Sequence, residues 1–349
     1  MTPRSMNKTL AEDIRMLAGQ YGGNSALCGK NIVITGATGL IGSCLVRLLL
    51  MLNREHDAGI HITAVVRDEM KAVSMFGPAD SALHYDVCDF TDTSCFQPDV
   101  KADYIVHLAG PTASRFFAEH PASTMLTVVG GTRAILDYAR HCHAKAVVFV
   151  SSLEVYGIVT DDSHPLTESM SGSIDYTDPR SSYPAAKLAA EALCHAYANE
   201  YGVPVRVARL AQTFGAGVAA DDNRVFAQFA RAAMNNSNIV LHTAGTLSRC
   251  YCYTTDAVDA ILCLLIKGRD GEVYNVANED TYTSVIDMAQ MVCDTFMPDK
   301  NPVIELRQGM GYSPSTKLRL SADKLRSLGW KPRYGLREMF VRLVASMSG

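Results

Sequence analysis

The sequence predicts an α/β fold built on a doubly wound parallel sheet. Short runs of apolar and β-branched residues without polar alternation suit strands that are buried on both faces. These runs alternate with helical segments, a rhythm that is typical of βαβ units. The chain has 349 residues, of which 48% are hydrophobic and 19% charged, so it holds enough apolar material for a large core.

The elements follow at regular spacing through the first two thirds of the chain. An amphipathic helix at residues 9–17 precedes the first buried strand at 31–35, which runs into a glycine-rich turn and an apolar helix at 44–52. We predict further strands at 61–66, 104–108, 146–150 and 205–210, and helices at 124–141 and 184–201.

The regular alternation of strands and helices ends beyond Phe214, where a second structural unit begins. We predict helices at 225–234 and 256–266, strands at 239–242 and 271–277, and a last helix after Pro332. The strand at 271–277 can return to the main sheet. Residues 213–244 and 278–349 are therefore predicted to form a smaller C-terminal α/β substrate domain.

Composition excludes several classes of protein. There are 32 Lys and Arg against 36 Asp and Glu, and no basic block, which argues against a nucleic-acid partner. The ten cysteines are scattered without a CxxC pair, so we expect neither a metal site nor a disulfide framework, but small buried residues in a reducing cytoplasm. We expect no signal peptide and no membrane span, because the longest apolar stretch, residues 40–52, is too short and contains Arg47.

The glycine-rich turn is the first candidate site. A strand, a turn and a helix in this order present backbone N–H groups and a helix N-terminus to a pyrophosphate, and glycine is needed where a Cβ would block the approach. We predict a Rossmann-type NAD(P)-binding domain over residues 1–212, rejoined by 245–277. Its phosphate-binding residues are Gly36, Thr38, Gly39, Leu40, Ile41 and Gly42.

The end of the second predicted strand bears on the choice of cofactor. An acidic residue at this place would bind the ribose hydroxyls, whereas an arginine accommodates a 2′-phosphate. The sequence has Arg67, followed by Asp68. The cofactor is therefore NAD or NADP, and Arg67 favours NADP unless the two residues are only a solvated surface pair.

Two further segments carry reactive side chains. Tyr183 and Lys187 are four residues apart on a predicted helix and share one face. A nearby ammonium is expected to lower the pKa of the phenol from about 10 toward neutrality, which would make Tyr183 a general base. Ser152 and Glu154 leave the end of a predicted parallel strand, where ligands bind in open α/β sheets. Glu154 is a candidate second base, or else a solvated loop carboxylate.

These motifs together resemble the extended short-chain dehydrogenase/reductase family, specifically its nucleotide-sugar epimerases, dehydratases and decarboxylases. The resemblance spans residues 31–340. It is carried by the GxxGxxG turn, His107-Leu108-Ala109-Gly110, the Ser-Ser-x-Glu-Val-Tyr-Gly run from Ser151, YxxxK and Thr213-Phe214-Gly215. Residues 107–121 and 180–215 look most like UDP-glucuronate decarboxylases.

The resemblance implies a role for each matched residue. Tyr183 would take the proton of the sugar 4-hydroxyl, Lys187 would hold the nicotinamide ribose and Ser152 would bind the 4-oxygen. Further cofactor contacts are implied for Asp86, Val87, Leu108, Ala109 and Gly110, the first two at the adenine. Substrate contacts are implied for Thr112, Ser152, Gln212, Arg224 and Arg249, the last of these at the diphosphate.

Glu154 is the position that separates the reactions of the family. Simple 4-epimerases usually carry a small or hydroxyl residue there, whereas dehydratases and decarboxylases carry Glu. Hydride removal at carbon 4 leaves a ketone, which acidifies the carbon-5 proton and activates a carboxylate at carbon 6 for loss. We therefore expect an NAD(P)-dependent enzyme that acts on a nucleotide-diphosphate sugar through a 4-keto intermediate, as a hexuronate decarboxylase or a 4,6-dehydratase.

Other functions and some departures from the family pattern remain open. A 4- or 5-epimerase is the alternative reaction, a non-catalytic NADP(H)-sensing Rossmann protein is an alternative of another class, and a carbonyl reductase is a third. Four positions differ from the usual residues of the family, namely Leu153, Val128, Gln212 and Arg67. The substrate pocket is therefore expected to differ from those of the well-known members. The helices at 124–141 and 184–201 resemble those that form dimers in this family, so a homodimer is expected.

Overall fold

The computed structural model describes residues 6–307 and 315–348. The described strands, in chain order, are β1 (Asn31–Thr35), β2 (His61–Val66), β3 (Leu83–Val87), β4 (Tyr104–His107), β5 (Ala146–Ser152), β6 (Val205–Leu210), β7 (Gln212–Phe214), β8 (Val240–Leu241), β9 (Ser248–Tyr253), β10 (Val273–Val276), β11 (Asn278–Ser284), β12 (Val303–Ile304) and β13 (Lys317–Leu318). The described helices are α1 (Lys8–Tyr21), α2 (Leu40–His56), α3 (Glu69–Phe76), α4 (Ser114–Glu119), α5 (Pro121–Cys142), α6 (Ser182–Tyr201), α7 (Val225–Met234), α8 (Thr254–Lys267), α9 (Val285–Phe296), α10 (Asp323–Arg326) and α11 (Leu336–Ser348).

A seven-stranded parallel sheet in the order β10-β6-β5-β4-β1-β2-β3 forms the centre of the molecule. Its inner strands are apolar on both faces because helices cover each side. Helices α5 and α6 pack on one face, and α2 and α8 pack on the other. This arrangement confirms the predicted doubly wound α/β fold, and β10 does return to the sheet beside β6.

A second, smaller sheet begins where the central sheet ends. Only Ala211 separates β6 from β7, and β7 then pairs with β9, which also pairs with β11 and β13. Strands β8 and β12 form a separate parallel pair. The second sheet therefore starts at the carboxyl edge of the central sheet, on the side where parallel α/β folds bind ligands. The domain boundaries given above stay a prediction.

A buried polar cluster ties the two ends of the chain together. Asp13 of α1 accepts a hydrogen bond of 2.5 Å from the Tyr253 hydroxyl at the end of β9 and forms a 2.6 Å ion pair with Arg342 of α11. Burial raises the pKa of Asp13, and these donors oppose the rise. The cluster anchors α1 to the second sheet and to the last helix, since a buried carboxylate needs such partners.

One pair of cysteines departs from the sequence expectation. Cys88 and Cys95 form a disulfide across Cα atoms 5.2 Å apart, so the prediction that all ten thiols are free is wrong for this pair. Two turns bend the loop between Cys88 and Cys95. The Asp89 side chain accepts a hydrogen bond from the Thr91 N–H, and the Asp92 side chain accepts one from the Ser94 N–H. The other eight cysteines are free, and all but Cys28 are buried. Within the described residues, no helix is both long and apolar enough to cross a bilayer.

Gly42 offers a test of the turn that joins β1 to α2. A Cβ at Gly42 would clash with the Gly36 carbonyl oxygen, whereas a Cβ at Gly19 in α1 would meet no atom within 4 Å. We expect Gly42→Ala to lower the free energy of unfolding by about 1–3 kcal/mol. The control Gly19→Ala should raise it by up to about 1 kcal/mol, because alanine favours helix. Guanidinium denaturation measures both, and equal stability of the two variants would refute the close-packing argument.

Candidate active site

A cavity of about 1340 Å³ opens between the carboxyl ends of the central strands and the second sheet. Its floor is the glycine turn after β1 and the segment after β4. One wall is formed by the ends of β5 and β6 together with α6, and the opposite side by residues of α7, β8 and β9. The site is thus assembled from both sheets.

The glycine turn fits a dinucleotide. Gly36 has a φ of 66°, and a Cβ there would lie 3.0 Å from the Ala109 nitrogen, so only glycine lets the turn approach the segment after β4. Gly39 is the N-cap of α2, and no side chain caps this helix end. The first N–H groups of α2 are therefore left for an anion at the cavity floor.

Thr35 fixes the second half of the floor. Its hydroxyl oxygen accepts hydrogen bonds of 3.1 Å from the N–H groups of both Leu108 and Ala109, and it lies 2.7 Å from His107 Nδ1. Burial lowers the pKa of His107 to about 3, so the ring is neutral. Since the hydroxyl already accepts two bonds, its own proton goes to Nδ1. His107 is a hydrogen-bonded packing residue, and it holds the backbone that leads to Gly110.

One end of the cavity is basic. We call it the β2–β3 end, and it is lined by Arg67 after β2, Lys71 of α3, Arg47 of α2, and residues 88–91 after β3. The carboxylate of Asp68 caps α3 by accepting from the Lys71 N–H at 2.9 Å. Within the described parts of the chain, none of the three cations has an ion-pair partner.

Two of the residues implied by resemblance do not line the cavity. Asp86 and Val87 lie in the last positions of β3, with the Val87 side chain 49% exposed. The strand pairing extends one residue further, where the Cys88 N–H donates to the Val66 carbonyl at 2.9 Å. The wall at this end is formed by Cys88 and the residues after it, and the implied adenine contacts of Asp86 and Val87 stay a prediction.

The four predicted catalytic side chains meet at one wall. Tyr183 and Lys187 face the cavity from α6, and Ser152 and Glu154 face it from the end of β5 and the turn after it. The Lys187 ammonium donates a 2.7 Å hydrogen bond to the Val150 carbonyl. Burial lowers the pKa of Lys187 to about 8, which still leaves it mostly protonated at neutral pH. The residues that sequence reasoning paired do lie together.

The electrostatics of Tyr183 differ from the expectation. Burial and then the charge of Glu154 raise the pKa of its phenol, and a hydrogen bond with the Ser152 side chain opposes the rise. The expected lowering by Lys187 is absent because the ammonium is directed to Val150 and lies 5.9 Å from the centre of the Tyr183 ring. In this state of the protein Tyr183 is a protonated phenol.

Phe117 is a site residue that spacing arguments did not identify. Its ring lies parallel to the Tyr183 ring at a centroid distance of 4.2 Å, and its carbonyl accepts a 3.2 Å hydrogen bond from the Ser182 hydroxyl. Phe117 is buried, and it lines the cavity together with its partly exposed neighbour Phe116. The ring covers one face of the phenol and excludes water from it. Two adjacent aromatic residues after the β4 motif were the only sequence signal.

A buried ion pair supports this wall from behind. Glu191, one helical turn after Lys187, binds Arg209 of β6 at 2.7 Å and accepts a 2.5 Å hydrogen bond from the Ser151 hydroxyl. Arg209 also donates to the Glu168 carbonyl at 2.9 Å and lies over the ring of Tyr156. Helix α6 is thereby joined to β5 and β6 at the level of the catalytic side chains.

The opposite side of the cavity carries two arginines. Arg249 of β9 donates to the Gln212 side chain at 3.3 Å, while its buried Nε has no hydrogen-bond partner in the described structure. Arg224 lies before α7 and pairs with Asp222 at 2.5 Å. Thr112 also lines the cavity. An unpartnered buried guanidinium nitrogen beside the cavity is suited to an anionic group of a ligand.

Comparison with known proteins agrees with this geometry. The model of the NAD dependent epimerase/dehydratase family matches residues 32–277, which is more than half of the chain. UDP-glucuronic acid decarboxylase 3 of Arabidopsis thaliana is 30% identical over 321 residues, covering 90% of this chain and 89% of that protein.

Two solved structures share the fold. The UDP-glucuronic acid 4-epimerase of Bacillus cereus, in complex with UDP-glucuronic acid and NAD, has a TM-score of 0.74 and 19% identity over 91% of this chain and 99% of that chain. The dTDP-glucose 4,6-dehydratase of Bacillus anthracis, in complex with NAD, has a TM-score of 0.75 and 20% identity over 91% and 96% of the two chains.

The chain belongs to the NAD dependent epimerase/dehydratase family. This confirms the resemblance to the extended short-chain dehydrogenase/reductase enzymes and supports a nicotinamide dinucleotide as the cofactor. At 19% and 20% identity, the two solved structures show only that the fold is shared.

The ion pair behind the catalytic wall can be tested through stability. Arg209→Met would leave the Glu191 carboxylate buried without its charge partner, and we expect a loss of about 3–5 kcal/mol in the free energy of unfolding. The matched control is Arg326→Met, which removes a half-exposed pair with Glu279 at 3.6 Å and should cost less than about 1 kcal/mol. Urea denaturation measures both. Similar losses for the two variants would show that the buried pair contributes no more than a surface pair.

Proposed function

We propose that this protein oxidises a nucleotide-diphosphate sugar at carbon 4 and then uses Glu154 for chemistry at carbons 5 and 6. The observation that carries the proposal is the meeting of Ser152, Glu154, Tyr183 and Lys187 at one cavity with the glycine turn. Decarboxylation of a hexuronate is the first candidate reaction and 4,6-dehydration of a hexose the second. The relative from Arabidopsis thaliana, which is named a decarboxylase, supports this order.

Four side chains take part in the first step, the oxidation at carbon 4. Ser152 and Tyr183 hydrogen-bond the 4-oxygen, and the phenol oxygen takes the 4-hydroxyl proton. When bound, the dinucleotide supplies the hydride acceptor and a positive charge that favours ionisation of Tyr183. Phe117 keeps water from the phenol, and Lys187, fixed by Val150, holds the ribose hydroxyls.

Glu154 acts after the ketone has formed. A 4-ketone withdraws electrons from carbon 5, so the carbon-5 proton becomes acidic and a carboxylate at carbon 6 can leave as carbon dioxide. A carboxyl group beside carbon 5 can deliver or remove a proton there. Glu154 faces the cavity near Tyr183, close enough for its charge to raise the pKa of the phenol.

The second sheet would hold the nucleotide part of the substrate. Arg249 and Arg224 present guanidinium groups to the cavity, and a diphosphate matches their planar donors. Gln212 keeps Arg249 in place through its side-chain oxygen. In this proposal residues 213–244 and the second sheet, with Arg249 of β9, bind the sugar nucleotide, while the glycine turn and the carboxyl ends of the central strands bind the cofactor.

A panel of substrates in heavy water tests the reaction. Purified protein is incubated with UDP-glucuronate, dTDP-glucose, GDP-mannose and CDP-glucose, and the products are weighed by mass spectrometry. We expect loss of carbon dioxide from the uronate. Loss of water from a hexose would transfer the assignment to dehydration, and deuterium uptake without fragment loss would make the protein an epimerase. No change in any substrate would favour the non-catalytic NADP(H)-sensing alternative.

Glu154→Gln separates the two halves of the proposed reaction. Removing the proton-transfer group should lower formation of the carbon-5/6 product by about 100-fold or more, while hydride removal at carbon 4 continues. Reduced cofactor and the 4-keto sugar should then accumulate, which absorbance at the reduced nicotinamide band and mass spectrometry detect. Glu119→Gln, at the exposed end of α4, is the control. Full product formation by Glu154→Gln would remove Glu154 from the mechanism.

We further propose that the cofactor is NADP rather than NAD. The β2–β3 end presents Arg67, Lys71 and Arg47 without a carboxylate partner, and Ser74 lines the same end. The carboxylate of Asp68, the residue after Arg67, is engaged at the α3 N-terminus. A 2′-phosphate would find several cationic donors there, and the residue directly after β2 is an arginine instead of the acidic residue that binds ribose hydroxyls.

Arg67→Ala tests this preference. We expect NADP binding to weaken about tenfold to 100-fold, because a charge-assisted hydrogen bond to phosphate is lost, and NAD binding to change by less than about threefold. Arg54→Ala, which removes an exposed cation from α2, is the control and should change neither affinity. Calorimetric titration gives both dissociation constants. A tighter NAD than NADP complex in the unaltered protein would overturn the proposal.

A further inference from the structure

The Cys88–Cys95 disulfide lies at the wall of the cofactor cavity. Cys88 follows β3 directly, is buried, and lines the β2–β3 end next to Arg67. Cys95 lies seven residues later at the end of a short helical turn and is exposed to solvent. The bond therefore joins a residue of the cavity wall to a residue of the protein surface.

The segment that the disulfide closes is part of the cavity. Asp89, Phe90 and Thr91 all line the β2–β3 end. Phe90 is the packed member of this segment: its ring lies 5.5 Å from Phe96 and 5.7 Å from His107, centre to centre. Phe90 also rests on Gly131 of α5, where a Cβ would lie 3.1 Å from it. The position of the segment thus depends on the disulfide at its two ends and on Phe90 between them.

The other cysteines cannot take the place of this pair. Seven of them are buried and free, and Cys28, which is partly exposed, precedes β1 away from the cavity lining. Burial raises the pKa of the thiols of Cys44 and Cys250, each to about 12, which makes them poor nucleophiles. Cys95 is the one cysteine residue that is exposed to solvent, so the approach of a thiolate to the disulfide is from this side.

We propose that Cys88 and Cys95 are a reversible thiol–disulfide site whose state sets the affinity of the cavity for its dinucleotide. The reactants are low-molecular-weight thiols and disulfides. A thiolate attacks Cys95 Sγ, the bond to Cys88 breaks, and Cys88 leaves as a thiolate that takes a proton. A second thiolate releases Cys95 from the mixed disulfide, so two thiols are oxidised to one small disulfide while the protein disulfide is reduced to two thiols.

Reduction weakens cofactor binding. With the disulfide closed, residues 89–91 are held in the cavity wall before the ligand arrives. With the bond open, the segment gains freedom that the ligand must remove on binding, and this ordering reduces affinity. The inference rests on the dinucleotide site alone and does not depend on which sugar the protein modifies.

The test compares the oxidised and reduced forms of the full chain. Protein equilibrated with glutathione disulfide or with dithiothreitol is alkylated with iodoacetamide, and peptide mass spectrometry counts the labelled cysteines. Calorimetric titration with NAD and with NADP then gives the dissociation constants. We expect Cys88 and Cys95 to be unlabelled in the oxidised form and labelled in the reduced form, and the dissociation constants to rise at least about fivefold on reduction.

Two variants separate the disulfide from general effects of the reagents. Cys95→Ser should bind the dinucleotide as the reduced protein does and should not respond to either reagent. Cys28→Ser should respond as the unaltered protein does. Labelling of both cysteines in the oxidised form would overturn the site itself. Equal affinities in the two forms, or no dinucleotide binding in either, would overturn its effect on the cofactor, whatever the substrate panel shows.

Discussion

The hydroxyl of Thr35 is the contact on which the rest of the site depends. It joins the end of β1 to the end of β4 by accepting the N–H groups of Leu108 and Ala109, and it holds the ring of His107, which burial keeps neutral. The glycine turn can then lie against the segment after β4, where Gly36 leaves no room for a side chain. The cavity floor is consequently a single rigid surface, and both the phosphate-binding turn and the catalytic wall are positioned relative to it.

A buried ion pair holds together the wall that carries Tyr183 and Lys187. Glu191 and Arg209 neutralise each other inside the protein, and through Ser151 they connect α6 with the strand that ends in Ser152. A buried pair of this kind adds little net stability over apolar packing, but it allows one geometry and penalises the loss of either partner. The reactive phenol of Tyr183 is therefore held between α6 and β5, with Phe117 closing its free face.

The two ends of the cavity have different chemistry, which follows from the two sheets that build it. The β2–β3 end consists of strand ends of the central sheet and carries unpaired cations and the Cys88–Cys95 loop. The opposite side belongs to the second sheet, where Arg249 and Gln212 bind each other beside the cavity. Positively charged side chains therefore lie at both ends of the cavity. They suit a long ligand with phosphate at both ends, or two phosphorylated ligands bound together.

Most strands of the central sheet can be predicted from the sequence, since strands buried on both faces are apolar along their whole length, and β1, β2 and β6 begin and end where their runs do. The positions of the four predicted catalytic residues on one helix face and at one strand end also follow from the sequence, because helical spacing and strand ends are local properties. Only the folded chain shows β9 and β11, whose polar residues follow no simple alternation, and β3, whose five residues do alternate but form too short a run to be assigned. The raised pKa of Tyr183 also depends on the fold, because it reflects burial. Only folding brought Phe117 onto Tyr183 and Cys95 to Cys88, because such contacts depend on where loops turn and not on any repeat in the chain.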